Sequence, residues 1–466
     1  ASPAYDTGNA TTPELQANPQ YTALDAYRTD GATRARLDRA VYPLSLPYDQ
    51  ALETARVYLK QLGAALSDVL ALFAPQDGRR WAAEMLGLSP ADFAVITGEQ
   101  LTGGPADALD ADAAFGLTPE LLPALKQNAR GRYVAALKRK LNAGGAALAL
   151  AADPGEEVFD AATTAAVRAF QQANALPDDG MVKIAEWRLL APLAPSVAAV
   201  VLPGAREFLA RAGVSYAELL SLAQARYVNP AGPTFDVLTT LRMPYDDLVA
   251  FVAAGFINPS ADLLSALADA KVSVEDFTAW ASTHLDADCW ARMQATLLLD
   301  APMNDACDLE HTTLRRWERA QPDVDDATWL RLNRLIRLWR RTGWALPDLD
   351  RALVALGAAE LTPDVLVQLA QIRRAAALLD VSIADVVSLW APLDIGPGSL
   401  YRRRFLSKAA LRHDRVFAPD WKGDVLIGAK LADHTPAILA GLRLKALDLD
   451  AILTDIELAD ADLTAD

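Results

Sequence analysis

Apolar residues recur at helical spacing along most of the chain, whereas the alternating pattern of a β-strand is almost absent. The run between Asp49 and Gly63 is the clearest case, because four apolar residues in it share one helical face. They are Leu52, Ala55, Leu59 and Leu62. Asp49 is placed to cap the start of this helix and Gly63 to end it. We therefore expect a helix here whose apolar face is built to be buried against something else.

Signals for helix starts recur at irregular intervals. A serine followed three residues later by an acid is the capping-box pattern. It occurs at Ser89/Asp92, Ser215/Glu218, Ser273/Asp276 and Ser382/Asp385. Thr118 and Thr362 each precede a proline, which is favoured at the first helical position. A solenoid would keep a fixed repeat length, so the irregular spacing favours an all-α, irregular multi-helix assembly.

Residues 131–192 have a pattern of their own. Val134, Leu137 and Leu141 predict one helix, a glycine-rich loop follows, and a second amphipathic run leads to Trp187 and Leu190. This segment resembles the peptidoglycan-binding-like domain at a set of matching positions. They are Phe159, Thr163, Ala166-Val167, Phe170-Gln171, Leu176 and Asp179-Gly180. The resemblance implies a small three-helix bundle that interrupts a helical body made of residues 1–130 and 193–466.

The segment departs from the pattern of that family near Phe159. The family has an Asp-Gly turn before the phenylalanine and a glycine after it, whereas this chain has Glu156-Glu157 and Asp160. Glycine permits backbone conformations that other residues avoid. We expect the loss of both glycines to affect ligand binding more than the fold.

Three interpretations of the bundle stay open. In the first it is a structural insert whose core contains Phe159, Val167, Phe170 and Trp187. In the second it binds a glycan or a cell surface along the groove between its last two helices, and in the third it binds a protein. Carbohydrate sites favour an exposed aromatic plane beside amides, so the candidate glycan-binding residues are Gln171, Gln172, Asn174 and Trp187.

Four further segments, in order along the chain, resemble the A subunit of the Tc-type insecticidal toxin complexes. They are residues 41–63, Phe208–Pro230, Cys307–Leu353 and Phe405–Leu442, with Asn18–Tyr27 as a lead-in. The resemblance implies a structural segment of the α-helical shell around a translocation channel in a secreted bacterial toxin. It also implies partners, namely other toxin subunits, a homopentamer of the full-length protein, and a cell-surface receptor or glycan.

The ends of the chain suggest a fragment of a longer protein. The first fifteen residues are polar, and we expect them to be loosely ordered unless a partner holds them. An apolar helical stripe lies close to the other end, with no later segment to cover it. It consists of Leu449, Ile452, Leu453 and Ile456.

Charge and composition exclude several classes of function. The net charge is −16, from 44 basic and 60 acidic residues, which disfavours binding to nucleic acid or anionic lipid. No apolar stretch reaches the roughly 20 residues of a membrane span, and the first residues lack the pattern of a signal peptide. Any secretion would therefore depend on the full-length protein. The 2 cysteines cannot form a disulfide framework.

No motif points to catalysis, a cofactor or a metal. The patterns G-x-S-x-G, H-E-x-x-H and G-x-x-x-x-G-K are absent. Cys307 and His311 have helical spacing, but a zinc site needs three or four ligands. A glycan hydrolase would need two facing carboxylates, and nothing singles out such a pair. We predict that the chain is not an enzyme and binds no cofactor.

A basic helix face precedes Gly343. Five arginines lie on one side of a predicted helix whose other side is apolar: Arg331, Arg334, Arg337, Arg340 and Arg341. In one interpretation this face docks an acidic partner helix or a neighbouring subunit. In the other it is a solvent face whose cations favour the helix C-terminus.

Overall fold

The computed structural model describes residues 44, 48–104, 119, 122–151, 156–190, 212–255, 258–300, 312–319, 324, 326–389, 391–396 and 398–456. Over these residues the protein is helical apart from one small two-stranded sheet. The predicted all-α fold class is therefore confirmed. No described helix is long and apolar enough to cross a lipid bilayer.

The helices and strands of the described residues are, in chain order, α1 Gln50–Gln61, α2 Leu66–Phe73, α3 Gly78–Leu86, α4 Pro90–Thr97, α5 Arg132–Ala143, α6 Ala161–Ala173, α7 Ile184–Leu189, α8 Tyr216–Gln224, α9 Gly232–Thr240, α10 Tyr245–Ala254, α11 Ala261–Ala270, α12 Val274–His284, α13 Ala287–Gln294, β1 Leu297–Asp300, β2 Thr313–Arg316, α14 Asp326–Thr342, α15 Leu346–Ala355, α16 Pro363–Leu379, α17 Ile383–Val387, α18 Leu400–Phe405, α19 Lys408–His413, α20 Leu431–Leu442 and α21 Ala446–Asp455.

Helices begin where the cap patterns predict. Reciprocal capping boxes form at the starts of α4, α8 and α17, where a serine accepts a hydrogen bond from the N–H of the acid and the acid accepts one from the serine N–H. Ser273 and Thr362 cap α12 and α16 through their hydroxyl oxygens. Thr118 lies outside the described residues. Each such cap stabilises its helix by about 1 kcal/mol.

The chain forms two compact units, and neither is continuous in sequence. The first comprises Ala1–Val214 and Asp325–Arg341, and the second comprises Ser215–Val324 and Thr342–Asp466. In the described residues the first unit contains α1 to α7 and nearly all of α14. The second contains α8 to α13, the sheet and α15 to α21.

Helix α1 has the predicted bounds, but its apolar face is not buried. Asp49 accepts a hydrogen bond from the N–H of Leu52, 3.0 Å away, and Gly63 has a left-handed backbone with φ +70°. No residue of α1 is buried, and Leu62 is 80% exposed. The described part of the chain therefore does not bury this face, and its burial against something else stays a prediction. A polar side-chain contact joins α1 to α3, since Arg56 pairs with Glu84 at 3.0 Å.

Helix α14 lies inside the first unit, which corrects the prediction of a basic outer face. Arg337 is 0% exposed, and its Nη1 atom lies 3.1 Å from Asp92 Oδ1. Arg341 Nη2 lies 2.9 Å from Asp92 Oδ2. The carboxylate of Asp92 is buried at the start of α4, and a buried charge needs a partner of opposite sign. Two of the arginines therefore face inward.

The other three arginines differ in exposure. Arg331 and Arg334 are half-buried, and Arg340 is exposed. Arg340 donates a hydrogen bond to the carbonyl oxygen of Gly213 at 2.8 Å, and its guanidinium lies over the ring of Trp339. These five residues therefore do not form one continuous solvent face. A role for them in binding another protein stays a prediction.

The second unit contains a β-hairpin that the sequence patterns did not indicate. β1 and β2 pair antiparallel, with Leu297 opposite Arg316 and Asp300 opposite Thr313. The side chain of Asn229 bonds both backbone groups of Leu297 at the outer edge of β1. The three consecutive leucines of β1 lack the alternation that predicts a strand.

The apolar stripe predicted near the end of the chain is only partly buried. Leu449 of α21 is buried, whereas Ile452 of α21 and Ile456, which follows the helix, are exposed.

Candidate functional site

Helices α5, α6 and α7 pack into a small three-helix bundle within the first unit. Its core is a single cluster of buried apolar side chains: Leu125, Val134, Leu137, Leu141, Phe159, Val167, Val182, Trp187 and Leu190. Two isolated bridges, Leu125 with Val182 and Arg130 with Val158, tie the loops together. The core therefore includes Leu125, which precedes the segment 131–192.

Trp187 belongs to this core and offers no exposed plane. It is 2% exposed, and its indole N–H donates to the carbonyl oxygen of Pro123 at 2.9 Å. The expectation that Trp187 provides an exposed aromatic surface is thus wrong. The physical reason is that α7 turns its tryptophan toward α5 and α6, where the large apolar ring is removed from water.

Gln171 is also buried, and it organises the loop between α6 and α7. Its Nε2 atom lies 2.9 Å from Asp179 Oδ1, 2.9 Å from the carbonyl oxygen of Met181 and 3.0 Å from Glu186 Oε1. Its Oε1 atom accepts a hydrogen bond from the N–H of Gly180 at 2.9 Å. Gln171 therefore holds the loop in place and, being 0% exposed, does not reach a ligand.

Gln172 and Asn174 are the two predicted glycan-binding residues that face solvent. The amide of Gln172 donates to Asp178 Oδ2 at 2.8 Å. The amide of Asn174 donates to the carbonyl oxygen of Phe170 at 2.8 Å. Both residues are exposed, and the hydrogen bonds above use the amide nitrogens and not the carbonyl oxygens of the two side chains. A glycan contact at these two residues stays a prediction.

Two cations that sequence reasoning missed pair with the aspartates of the loop between α6 and α7. Arg168 Nε is 3.7 Å from Asp178 Oδ1, and Lys183 Nζ is 2.7 Å from Asp179 Oδ2. Hydrogen bonds from Lys183, the N–H of Met181 and Gln171 hold the pKa of Asp179 below its usual range. The Asp179/Lys183 spacing of four residues was the available sequence signal.

The loop approaches α6 closely at Gly180, which has φ +68°. A Cβ atom there would lie 3.1 Å from Arg168 Nε and 3.1 Å from Thr164 Cγ2. Glycine therefore allows the loop to carry Asp178 and Asp179 up to Arg168. We use the name α6–α7 face for five exposed residues of α6 and of the segment that leads to α7, namely Arg168, Gln172, Asn174, Asp178 and Lys183.

The acidic residues that replace the family's glycines have structural partners. Lys138 Nζ lies 2.7 Å from Glu157 Oε1 and 3.4 Å from Asp160 Oδ2, and both Lys138 and Glu157 are buried. Asp160 caps α6 by accepting a hydrogen bond from the N–H of Thr163 at 2.7 Å. Burial disfavours the ionised form of Glu157, but hydrogen bonds from Lys138 and the N–H of Ala151 outweigh it, and the pKa of Glu157 is lowered. The departure from the family pattern thus leaves the bundle intact.

The second unit contains a cavity of about 910 Å³ that no predicted site residue lines. Its polar wall is an ion-pair cluster, in which Asp394 lies 3.0 Å from both Arg226 Nη2 and Arg351 Nε. Asp350 accepts a hydrogen bond from the N–H of Tyr227 at 2.8 Å, and burial raises the pKa of Asp350. Asp350 and Asp394 therefore make contacts that hold the fold.

Within the part of the chain that the structure describes, no group of three or more His, Cys, Asp and Glu side chains is placed to hold a metal ion. Cys307 and His311 lie outside the described residues. His284 stacks on Trp280 with a ring separation of 4.9 Å, and Cys289 is buried.

Comparison with known proteins identifies the bundle. Residues 130–190 match the model of a family described as "Putative peptidoglycan binding domain". No curated protein and no solved structure matches the chain. Residues 130–190 therefore form a peptidoglycan-binding-like domain within a longer helical chain.

Proposed function

We propose that this chain is a non-catalytic cell-wall binding protein, in which the three-helix bundle attaches to peptidoglycan and the remaining helices form a scaffold. The observation that carries the proposal is the family match at residues 130–190. The packed core of the bundle supports it, because the segment is folded as a unit of that kind. The protein would then act where peptidoglycan lies, outside the cytoplasmic membrane.

The α6–α7 face is the surface of the bundle that suits a polar polymer. It offers the cations of Arg168 and Lys183 and the carbonyl oxygens of Gln172 and Asn174. The loop behind it is fixed by the buried amide of Gln171. Binding groups that are held in place lose little conformational entropy when a ligand binds.

The resemblance to a toxin A subunit gives a second, wider hypothesis for the helical remainder. It implies a shell segment, a homopentamer and a secreted complex. Neither the family match nor the geometry adds support to it, so these properties stay predictions from the resemblance.

Co-sedimentation of the intact chain with purified peptidoglycan sacculi tests the proposed function. We expect saturable binding that the double variant Arg168→Ala/Gln172→Ala weakens at least about fivefold, because each exposed polar contact contributes up to about 1 kcal/mol. The matched control is Arg403→Ala/Gln368→Ala, which removes an exposed arginine and an exposed glutamine from helices of the second unit. An intact chain that remains in the supernatant at every sacculus concentration would contradict the proposal.

A further inference from the structure

We propose that the α6–α7 face binds the carboxylate groups of the peptide stems of peptidoglycan and not its sugar rings. This inference rests on the proposed function. Peptidoglycan offers two chemistries to a protein, namely N-acetylated sugars that stack on aromatic planes and short peptides that carry carboxylates. The exposed groups of the bundle match the second.

Among the described residues of the bundle no aromatic side chain is largely exposed. The segment 130–190 contains four aromatic residues. Phe159 and Trp187 are members of the buried core, and Tyr133 and Phe170 are partly buried against it. A sugar ring therefore finds no stacking partner on the α6–α7 face. The residues that sequence reasoning paired with Trp187 must act through polar contacts alone.

The cations of the face can exchange partners. The side chains of Arg168 and Lys183 are 55% and 50% exposed and pair with Asp178 and Asp179. Exposed ion pairs contribute about 0 to 1 kcal/mol, so replacing one carboxylate by another costs little. Arginine presents paired N–H donors that fit a carboxylate. The acceptor oxygens of Gln172 and Asn174 are then available for peptide N–H groups.

The bundle is nearly neutral in formal charge, unlike the chain as a whole. Residues 130–190 contain eight basic and seven acidic residues, whereas the whole chain has a net charge of −16. Charges farther away than roughly 8 Å are largely screened at physiological salt. The attraction of a carboxylate to Arg168 or Lys183 therefore depends on the charges nearby, which include their partners Asp178 and Asp179, and little on the net charge of the chain.

Competition for binding to sacculi tests the inference with the intact chain. Three soluble competitors are compared: a synthetic stem tetrapeptide with free carboxylates, the same peptide with every carboxylate converted to an amide, and an N-acetylglucosamine tetramer. We expect the free peptide to displace the chain. We expect the amidated peptide to require at least about tenfold higher concentration, which corresponds to the loss of charge-assisted hydrogen bonds, and the sugar tetramer not to displace the chain.

Two variants at Lys183 test whether the positive charge matters for the potency of the free peptide. The comparison separates an effect on binding from an effect on folding. Lys183→Gln should reduce the potency of the free peptide about fivefold, whereas Lys183→Arg should restore it, because the second variant keeps the positive charge. Displacement by the sugar tetramer, or equal potency of the free and amidated peptides, would overturn the inference and leave the proposed function standing. A chain that does not sediment with sacculi before any competitor is added would overturn both.

Discussion

Two adjacent glutamines in α6 have opposite roles, although their chemistry is the same. Gln171 is buried and contacts the loop at Asp179, Gly180 and Met181, whereas Gln172 is exposed and contacts only the carboxylate of Asp178. The difference arises from the helix, since successive residues point about 100° apart around its axis. One glutamine therefore holds the loop, and the other faces solvent.

The pair gives a prediction with an internal control. Gln171→Ala should lower the free energy of unfolding of the bundle by about 2 to 3 kcal/mol, because it leaves buried loop groups without their partner. Gln172→Ala should change it by less than about 0.5 kcal/mol. Hydrogen exchange of the α6–α7 segment measures this quantity apart from the rest of the chain. Equal protection in the two variants would show that Gln171 does not hold the loop.

The buried pair of Lys138 and Glu157 predicts a response to acid. Because the pKa of Glu157 is lowered in the folded protein, its contribution to stability is present above the unfolded value of about 4.3 and is lost as pH falls through the folded value. Hydrogen exchange of α5 and α6 between pH 6 and 3 should show this loss. Glu157→Gln should be less stable at pH 6 and should lack this component of the pH dependence. If the unaltered protein and Glu157→Gln lost stability equally between pH 6 and 3, the acid response would not arise from Glu157.

Trp187 shows why residue identity did not locate the site. Tryptophan has both an apolar ring and a polar N–H, and it serves equally in a core or at a surface. Its N–H bonds to the carbonyl oxygen of Pro123, 64 positions earlier in the chain. A sequence pattern within the bundle contains no signal for that contact.

At the scale of elements, the start of α4 combines a local cap with a distant ion pair. Asp92 closes the capping box of Ser89 and also contacts Arg337 of α14, 245 positions away. Asp385 closes a similar box with Ser382 at the start of α17, and this box is exposed. The two aspartates differ mainly in burial and in the arginines that surround the first.

This comparison predicts unequal costs for the same substitution. Asp92→Asn should destabilise the first unit by about 3 to 5 kcal/mol, because it removes the charge that compensates a buried arginine. Asp385→Asn should cost about 1 kcal/mol or less, as expected for a cap alone. Hydrogen exchange at α4 and α17 measures the two effects. A small effect at both positions would show that the contact with Arg337 contributes little.

Helix starts could be predicted from the sequence, whereas buried faces could not. A cap involves residues only three positions apart, so a short stretch of sequence is enough to recognise the caps at Asp49, Ser89 and Ser382. Burial depends on what packs against a helix. For this reason Arg337 of α14 was assigned to the wrong environment, and the sequence did not show that the described chain leaves the apolar face of α1 uncovered.

At the scale of the whole molecule, the chain is acidic, whereas residues 130–190 are nearly balanced in charge, with eight basic and seven acidic residues. If ligand carboxylates bind Arg168 and Lys183, attachment to sacculi should weaken severalfold between 50 and 500 mM salt, because salt screens exposed charges. Co-sedimentation at a series of salt concentrations measures this. The double variant Arg168→Gln/Lys183→Gln should show a weaker dependence, and an intact chain whose binding does not depend on salt would contradict the electrostatic account.

The bundle could be found from sequence, while the division into units could not. Phe159, Phe170 and Gly180 belong to a short family pattern that can be recognised in one sequence without an alignment. The assignment of residues 325–341 to the first unit depends on contacts between distant segments. The α6–α7 face could be predicted in part. Gln172 was a candidate because of its amide, whereas Arg168 was identified only from the geometry of the loop.

The central claim is that the bundle, and no other part of the chain, makes the attachment. Hydrogen exchange of the intact chain with and without enzymatically solubilised peptidoglycan fragments tests it most directly. The account predicts slower exchange in α6, in the loop through Lys183 and in α7, with α15 and α17 beside the cavity unchanged. Protection confined to α15 and α17, with the bundle unaffected by a bound ligand, would contradict it.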